Sequence, residues 1–319
     1  MNLRKKANYQ EKMRENIGIK YKMWYNFQKN KQESGDFMEF KKYDDPNEFI
    51  EENEKIILEK EWLNNLMAGN YKDAVEEGLT EDWLLARVTD NGKTELIMLL
   101  RKPWRLLMYS PTDNKSEELY RFAAENLYEI DSNLEGVNTE KDISQIFAKE
   151  FCKVANKTPK VRFEMRILVL EKLKEAKLRD DVIFRKATED DRPILKEYRR
   201  IFSEEALHEI VTEEDLEKKM EKHFSMGAYV LEKDGKIVAT ATSNRHLSKG
   251  KSIGNVFTPK EERGNGYAYN LVYRLSKEFL DSGMEYCVLF TDDSNPISNH
   301  VYEKIGYERR ADTMEILFV

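Results

Sequence analysis

An internal repeat constrains the fold of this chain more than any other feature of its sequence. Four stretches of the first half return in the second half, in the same order and at offsets of 144 to 149 residues. The four pairs are "MEFKKYDDPNEF" with "VIFRKATEDDRPI", "WLLARVTDNGKTELIMLL" with "AYVLEKDGKIVATATS", "LLMYSP" with "GNVFTP", and "MRILVL" with "MEILFV". Chance accounts for one such pair far more easily than for four in register, so the chain is predicted to contain one unit twice.

The repeated stretches also predict what each unit contains. The first pair reads as a short strand, an acidic cap and a helix. The second pair reads as two strands joined by a tight turn, at Asp90-Asn91-Gly92 in one half and at Asp234-Gly235 in the other. Strands that alternate with helices predict an α/β fold with a mixed sheet, built from two copies of one domain of roughly 140 residues.

The domain limits follow from the repeat and from the charge pattern. We place a basic extension at 1–36, the first domain at 37–178 and the second at 179–319, with the charged segment Glu171–Asp181 as the linker. Residues 1–31 carry nine Lys or Arg and only two Glu. This segment is interpreted either as a basic arm for an acidic partner or as an amphipathic helix that packs its aromatic residues on the body.

Composition narrows the class of protein. The chain has 319 residues and a net charge of −7, and an acidic chain repels phosphate backbones, so no nucleic-acid partner is expected. Cys152 and Cys287 lie far apart without CxxC spacing, so neither a metal site nor a disulfide framework is expected. No apolar stretch approaches the ~20 residues of a membrane span, and no signal peptide is visible. A cytoplasmic protein without a membrane partner is therefore expected.

A glycine-rich turn in the second half suggests a ligand. The stretch "SIGNVFTPKEERGNGYAYNLV" reads as a strand that ends in proline, then the turn Arg263-Gly264-Asn265-Gly266, then a helix. It fits neither GxGxxG, because position 269 is Tyr, nor the P-loop pattern. The glycines allow a tight turn and close approach, and the N–H groups of the first helical turn point at whatever lies there. The stretch is thus interpreted as an anion site sized for a pyrophosphate, or else as a plain turn.

The first half provides a comparison for this turn. After Pro111 it has no glycine, and it places Asp113, Glu117 and Glu118 at the corresponding helix start. Carboxylates there stabilise the helix dipole but repel an anionic ligand. The first half is therefore predicted to keep the architecture without a phosphate site, so that only the second half carries out chemistry.

Two motifs of the second half resemble a known family. The pattern R-x-x-G-x-A, here Arg263, Gly266 and Ala268, resembles the acetyl-CoA signature of the GNAT acetyltransferases. Downstream, "LFTDDSNPISNHVYEKIGY" is similar to the second motif of the same family. Together with the repeat, they resemble bacterial GNAT proteins in which a degenerate GNAT-like domain precedes the catalytic one. The resemblance implies a tandem GNAT fold and acetyl-CoA as co-substrate.

The resemblance also implies roles for individual residues. The backbone groups of Val256 and Thr258 are expected to pair with the pantetheine arm, and Asn295 is either a further pantetheine contact or a turn residue before Pro296. Tyr302 is either the general acid for the leaving thiolate or a tyrosine of the core. The pyrophosphate is expected over Arg263, Gly264, Asn265, Gly266, Tyr267 and Ala268.

The general base is open at this level. Many relatives carry a Glu on the strand of Val256, whereas this chain has Asn255 there. The candidates are Asp292, Glu204, Glu205 and His208, and water is the alternative to all four. His300 is expected to be exposed, and His223 shows no ligand spacing.

The acceptor site is expected between the helices that lie within Ile194–Met226 and the loop Asn244–Lys251. The glutamates of this helix pair form either an acidic rim for an amine or an ordinary solvated face.

These observations favour an acetyl-CoA-dependent N-acetyltransferase that acts by direct attack of a primary amine in a ternary complex. The acceptor is expected to be a small-molecule or peptide amine, and the protein a monomer or homodimer. Two alternatives stay open, a non-catalytic acyl-CoA sensor and a transferase that uses a longer acyl or an aminoacyl donor.

Overall fold

The computed structural model describes residues 38–319, so the predicted basic extension lies outside the described residues. The first half contains six strands and four helices: β1 (Met38–Tyr43), α1 (Pro46–Glu59), α2 (Asn65–Glu77), β2 (Trp83–Asp90), β3 (Lys93–Arg101), β4 (Leu107–Tyr109), α3 (Glu117–Ile130), β5 (Gly136–Glu140), α4 (Lys141–Ala155) and β6 (Pro159–Leu170).

The second half repeats this order of elements. It contains β7 (Ile183–Lys186), α5 (Arg192–Leu207), α6 (Glu213–Met226), β8 (Ala228–Lys233), β9 (Lys236–His246), β10 (Gly250–Phe257), α7 (Tyr267–Asp281), β11 (Tyr286–Asp292), α8 (Pro296–Ile305) and β12 (Glu308–Phe318). The predicted mixed α/β fold is confirmed. None of the helices between residues 38 and 319 is long and apolar enough to cross a membrane.

The last strand of each half pairs with the other half. One sheet has the order β1-β2-β3-β4, and the other has the order β5-β12-β6-β11-β10-β9-β8-β7. Strand β6 lies between β11 and β12, and β12 lies between β6 and β5. A parallel bridge from Leu106 to Val137 connects the two sheets. The exchange of β6 and β12 joins the two halves through backbone hydrogen bonds. The domain limits given above remain predictions.

The two predicted hairpin turns are confirmed. Asn91 and Gly92 have φ of 49° and 77°, and Asp234 and Gly235 have φ of 50° and 76°. Two successive left-handed residues form the type of turn whose twist matches that of the flanking strands. The hairpin joins β2 and β3 in the first half, and in the second half it joins β8 and β9, which precede β10, the strand of the predicted site.

The second-half sheet has a different helix pair on each face. Side chains alternate along β8, so Tyr229 and Leu231 join a core with α7 and α8, while Val230 joins a core with α5 and α6. Strand β10 contributes to both cores, Ile253 to the first and Phe257 to the second. Strand β10 therefore presents side chains to both faces of the sheet.

The predicted linker Glu171–Asp181 contains neither helix nor strand. It is nonetheless attached to the second half, since Leu173 packs against the core of α7 and α8 and the Lys174 N–H donates to the Ile305 carbonyl at 2.9 Å. Cys152 and Cys287 are both free and buried.

Candidate active site

The strands β10 and β11 pair at one end and separate at the other. Their parallel pairing joins Gly250–Ser252 to Tyr286–Val288, and no pairing between them is found further along in the described chain. On the other side, the pairing of β10 with β9 shifts register between Gly254 and Phe257, where Asn255 has a φ of 50°. The result is a wedge whose open end lies at Val256, with backbone groups available to a ligand.

The glycine-rich turn leads directly from this wedge into α7. Gly264 and Gly266 have φ of 84° and 76°, a conformation that side chains rarely adopt. Gly266 is the N-cap of α7 and brings no side-chain cap, and residues 264–268 make no backbone N–H hydrogen bond within the described range 38–319. A Cβ added at Gly264 would meet nothing within 4 Å. The turn is thus open, and its N–H groups are free to bind an anion.

Two arginines hold the turn in place. The Arg263 guanidinium donates to the Thr258 carbonyl at 3.0 Å and forms an ion pair with Glu205 at 2.5 Å. Arg179, from the linker, donates to the Asn265 carbonyl at 3.3 Å and lies 5.2 Å from the ring centre of Tyr267. Arg179 was missed by the sequence reasoning, because the linker gave no signal that it returns to this turn.

Tyr302 faces the interior between α7 and α8. Its side chain is 8% exposed and belongs to the apolar cluster against which Val256 packs, with its ring edge-on to Tyr307 at 5.9 Å. Burial raises the pKa of Tyr302 to about 12. The phenol therefore keeps its proton at neutral pH and is a hydrogen-bond donor on the side of the wedge that carries Val256.

Asn295 and Asp292 shape the turn between β11 and α8. The side-chain oxygen of Asn295 accepts from the Ser298 N–H at 3.1 Å and caps α8. The exposed Asp292 accepts from the N–H and the hydroxyl of Ser294 at 2.8 and 2.7 Å. Next to them, the buried Asn299 has a side-chain oxygen without a partner in the described chain. His300 is exposed, as predicted.

The three base candidates from α5 lie at its exposed end. Glu204, Glu205 and His208 are all exposed, and Glu205 is paired with Arg263. Instead, α6 brings His223 against β10, with its Nε2 3.2 Å from the side-chain nitrogen of Asn255. Burial, and then the charges of Arg199, Lys219 and Lys222, lower the pKa of His223 to about 3. The imidazole is therefore neutral at physiological pH.

A small cavity, open to solvent, lies between the α5–α6 pair and the sheet. It opens on the face of β10 opposite to Tyr302, since Asn255 and Phe257 line it while Val256 packs in the core of α7 and α8. Its remaining walls come from both helices and from β8 and β9: Leu195, Tyr198, Arg199, Phe202, Met220, His223, Ala228, Thr240 and Thr242. The helix pair is the one in which the sequence predicted the acceptor site.

The loop predicted as the other acceptor wall is held by the first half. The carboxylate of Glu61 accepts from the Ser248 N–H at 2.6 Å, from the Lys249 N–H at 2.9 Å and from the Tyr286 hydroxyl at 2.8 Å. Glu61 is 2% exposed, so these hydrogen bonds satisfy a buried charge. The first half thereby fixes the start of β10, from which the wedge opens.

Comparisons with known proteins point to one family. Residues 192–307 match the family model described as "Acetyltransferase (GNAT) family". No curated protein sequence matches the chain significantly. The match to the family model supports an acyl-CoA-dependent acyltransferase activity, and it covers the wedge, the glycine-rich turn and Tyr302.

Solved structures support the same fold over most of the chain. A GNAT acetyltransferase from Colwellia psychrerythraea is 11% identical with a TM-score of 0.57, covering 88% of this chain and 100% of that one. A GCN5-related N-acetyltransferase from Sphaerobacter thermophilus is 14% identical with a TM-score of 0.59, covering 87% and 95%. A tandem GNAT protein from the clavulanic acid biosynthesis pathway is 11% identical with a TM-score of 0.53, covering 89% and 98%. At these identities the likeness shows the fold alone.

Proposed function

We propose that this chain, whose residues 192–307 match the acetyltransferase (GNAT) family model, transfers an acetyl group from acetyl-CoA to a primary amine. The observation that carries the proposal is the uncapped start of α7 directly beside the separation of β10 from β11. A pyrophosphate with a pantetheine arm needs two surfaces, an anion cradle and an unpaired strand edge. The segment from Gly250 to Ala268 offers both.

In this proposal the donor lies along that segment. The N–H groups of residues 264–268 bind the pyrophosphate, and Arg179 and Arg263 supply positive charge beside it. The backbone of Val256 and Thr258 pairs with the pantetheine arm, as a further strand would. The side-chain oxygen of Asn295 already caps α8, so its amide nitrogen is the atom left for a pantetheine carbonyl.

The transfer is direct. The amine nitrogen attacks the thioester carbonyl carbon, and the new C–N bond forms as the C–S bond breaks. Tyr302 donates its phenolic proton to the leaving sulfur, the nitrogen releases a proton to solvent as the amide forms, and Tyr302 is reprotonated from solvent. Cys287 does not serve as a nucleophile, because it is completely buried and burial raises the pKa of its thiol to about 12. No covalent enzyme intermediate is needed.

The amine must lose a proton before it attacks. Neutral His223 lies in the cavity, but a pKa of about 3 makes it too weak a base to deprotonate an ammonium group efficiently. Asp292 is exposed, and one of its oxygens is held by Ser294. We therefore propose that water accepts the proton of the amine. His223 orients the side chain of Asn255 on the acceptor side of the wedge.

The test is a calorimetric titration of acetyl-CoA into the wild type and the Gly266→Glu variant. The wild type should bind at micromolar levels, and the variant should bind about tenfold more weakly or worse, because a carboxylate and a Cβ enter the anion cradle. The matched control is Gly235→Glu, because Gly235 has the same φ of 76° and open space around it, in the hairpin between β8 and β9. It reproduces the backbone strain and the charge away from the site.

The result has three readings. Binding that is lost only in Gly266→Glu, with thiol release in the presence of an amine panel, supports the transferase. Binding without thiol release for any amine favours the acyl-CoA sensor. Absence of binding by the wild type contradicts both. Mass spectrometry of the acylated product, with acetyl-CoA and longer acyl-CoA donors in competition, decides which acyl group is used.

A further inference from the structure

Arg199 is a buried cation that lacks hydrogen-bond partners among the described residues at two of its three guanidinium nitrogens. It lies on α5, lines the cavity between α5, α6 and the sheet, and is 9% exposed. Its Nε and one terminal nitrogen are buried and have no hydrogen-bond partner in the described chain. The side chain stacks over Phe202 at 5.3 Å, which holds the plane of the guanidinium but satisfies none of its N–H groups. An unpaired guanidinium at this depth is costly, and burial lowers its pKa.

The groups around Arg199 do not neutralise it. The carboxylate whose charge acts on it is Glu209, but Glu209 forms an ion pair with Arg162 at 2.8 Å and lies 4.0 Å from Lys219. Lys219 is itself depressed in pKa, first by burial and then by the charge of Arg199. The neighbouring His223 is neutral. The interior of this cavity is therefore positive, although the chain as a whole is acidic.

One further donor on the same face of α5 lacks a partner. The Ser203 hydroxyl lies one turn after Arg199, is fully buried and has no hydrogen-bond partner among the described residues. Native proteins leave few buried polar groups unsatisfied, so two of them on one face of a helix indicate a missing ligand.

We propose that the amine acceptor carries a carboxylate and that Arg199 binds this carboxylate in the cavity. The inference rests on the proposed function and adds the class of acceptor, an amino acid or a short peptide. A carboxylate presents two coplanar oxygens, which match the fork of guanidinium N–H groups, and such charge-assisted pairs are strongest where water is excluded.

The position of the cavity fits an acceptor. Asn255 and Phe257 line it from β10, and Val256 between them faces the opposite side, where Tyr302 lies. An amine whose carboxylate is held by Arg199 therefore approaches the wedge from the α5–α6 face, while the thiolate leaves toward the face of Tyr302. This arrangement keeps the nucleophile and the general acid on opposite sides of the reacting carbonyl.

The experiment compares amino acids with the amines made by removing their carboxylate. Thiol release from acetyl-CoA is measured with lysine against cadaverine, ornithine against putrescine and phenylalanine against phenethylamine, and with dipeptides to separate free amino acids from peptides. For at least one pair, the wild type should favour the carboxylated member about tenfold or more in kcat/KM. Arg199→Met should lower kcat/KM for that member about 10- to 100-fold, and leave that of its decarboxylated partner and the Kd of acetyl-CoA unchanged. Arg199→Lys should recover part of the loss.

The matched control is Arg200→Met. Arg200 is the next residue on α5, but it is exposed and paired with Glu197, so its loss should leave the preference unchanged. A second readout separates binding from structure. Because Arg199 is an unpaired buried charge, Arg199→Met should keep or raise the melting temperature, whereas a structural arginine would lower it. A clear loss of melting temperature in Arg199→Met overturns the proposal.

The proposal can fail while the transferase function stands. Equal use of both members of every pair, or a preference for the decarboxylated amines, overturns it even if acetyl-CoA is bound and turned over. If acetyl-CoA is not bound, the same amino acids and dipeptides are titrated into the chain alone by calorimetry. Binding that Arg199→Met abolishes then supports the carboxylate site independently, and no binding at millimolar concentration overturns it.

Discussion

The two halves of the molecule have the same order of elements, but among the described residues a side-chain hydrogen bond crosses the wedge between the corresponding strands only in the first half. In the first half, β4 and β5 lie as β10 and β11 do in the second, joined by the parallel bridge between Leu106 and Val137. Beyond that bridge the Thr139 hydroxyl donates to the Met108 carbonyl across the opening. In the second half no side chain among the described residues forms a hydrogen bond across the opening at Val256. The first half thus satisfies from within the backbone groups that the second half leaves for a ligand.

The turns that follow these wedges differ in the same way. In the first half the Asn114 N–H donates to the Ser110 hydroxyl at 3.1 Å, and the Ser116 N–H donates to the side-chain oxygen of Asn114 at 2.9 Å. Asn114 is in turn held by the buried Glu95 at 3.0 Å. The corresponding N–H groups of the second half, residues 264–268, have no acceptor among the described residues. One architecture therefore supports either a closed structural element or an open anion site, depending on a few polar side chains.

The largest expected effect is on the turnover rate of the second half, and it comes from Tyr302. Tyr302→Phe should lower kcat by about 10²- to 10³-fold and leave the Kd of acetyl-CoA unchanged, because it removes the proton donor for the leaving sulfur and nothing that binds the donor. Steady-state thiol release and calorimetry measure the two quantities. Tyr269→Phe, on α7, is the control and should retain full activity. If Tyr302→Phe turns over at the wild-type rate, the acid role is wrong and Tyr302 is a core residue.

The second prediction makes the second half resemble the first. Ala268→Glu places a carboxylate in the first turn of α7, where α3 of the first half carries Glu117 and Glu118. Acetyl-CoA affinity should fall about tenfold through charge repulsion, while the melting temperature stays the same or rises because the carboxylate favours the helix dipole. Ala268→Gln has the same size without the charge and should bind nearly as the wild type does. Equal weakening by both variants would mean that bulk, not charge, is excluded.

The reverse change should have no effect. Replacing Glu117 and Glu118 by Gln in the first half removes the acidic first turn but leaves the N–H groups of Asn114 and Ser116 occupied by side chains. The stoichiometry of acetyl-CoA binding should therefore stay at one per chain, as measured by calorimetry. A second binding event in this variant would show that charge alone had closed the first half.

The third prediction concerns how the stability of the fold depends on pH. It tests the second half alone, because all four histidines of the chain lie there. Burial and the nearby cations Arg199, Lys219 and Lys222 lower the pKa of His223 to about 3 in the folded state, against about 6.5 in an unfolded chain. The unfolded state then binds the additional proton, so this contribution to stability is complete above pH 6.5 and is lost as the pH falls below it.

Urea unfolding at pH 7.5 and 5.5 measures this loss. His223→Gln should lose about 1.4 kcal/mol less than the wild type between the two pH values, the equivalent of one proton over one pH unit. His300→Gln is the control, since His300 is exposed and should behave as the wild type does. Parallel losses in all three proteins would place His223 in contact with solvent rather than in a buried cavity.

The smallest expected effect concerns Arg179. Arg179→Gln should weaken acetyl-CoA binding a few-fold at most, because the Arg179 side chain is in contact with solvent and already paired with Asp181 at 2.6 Å. The loss should diminish as the salt concentration rises. Lys277→Gln, at the far end of α7, removes the same charge from an exposed pair with Asp281 and should bind as the wild type does. A larger effect in Lys277→Gln would show that net charge, not position, matters.

Much of the fold could be read from local sequence. The hairpin turns Asn91-Gly92 and Asp234-Gly235, and the helix that starts after Gly266, depend on backbone conformations that few residue types adopt, so their residues identify them. Likewise α8 ends at Gly306, whose φ of 122° is one that glycine adopts readily. The exchange of β6 and β12 was not predicted, because "MRILVL" and "MEILFV" are equally apolar and fit either neighbour.

One part of the candidate site could be predicted from the sequence, and another part could not. The residues of the wedge and the turn, from Val256 to Ala268, are contiguous, so a motif could reveal them. His223 and Arg199 gave no signal, because they lie 32 and 56 residues before Asn255 and share a cavity with it only after α5 and α6 pack on β10.

The sequence by itself determined the repeat, the kind of each element and the open turn at Gly264 and Gly266, because these depend on side-chain periodicity and on allowed backbone angles within a few residues. Only the tertiary structure decided which strands cross between the halves, and which charges are left unpaired at the acceptor side. Pairing and burial are properties of segments far apart in the chain. Arg199 lacks an ion-pair partner among the described residues because folding buries it while the nearby Glu209 pairs with Arg162.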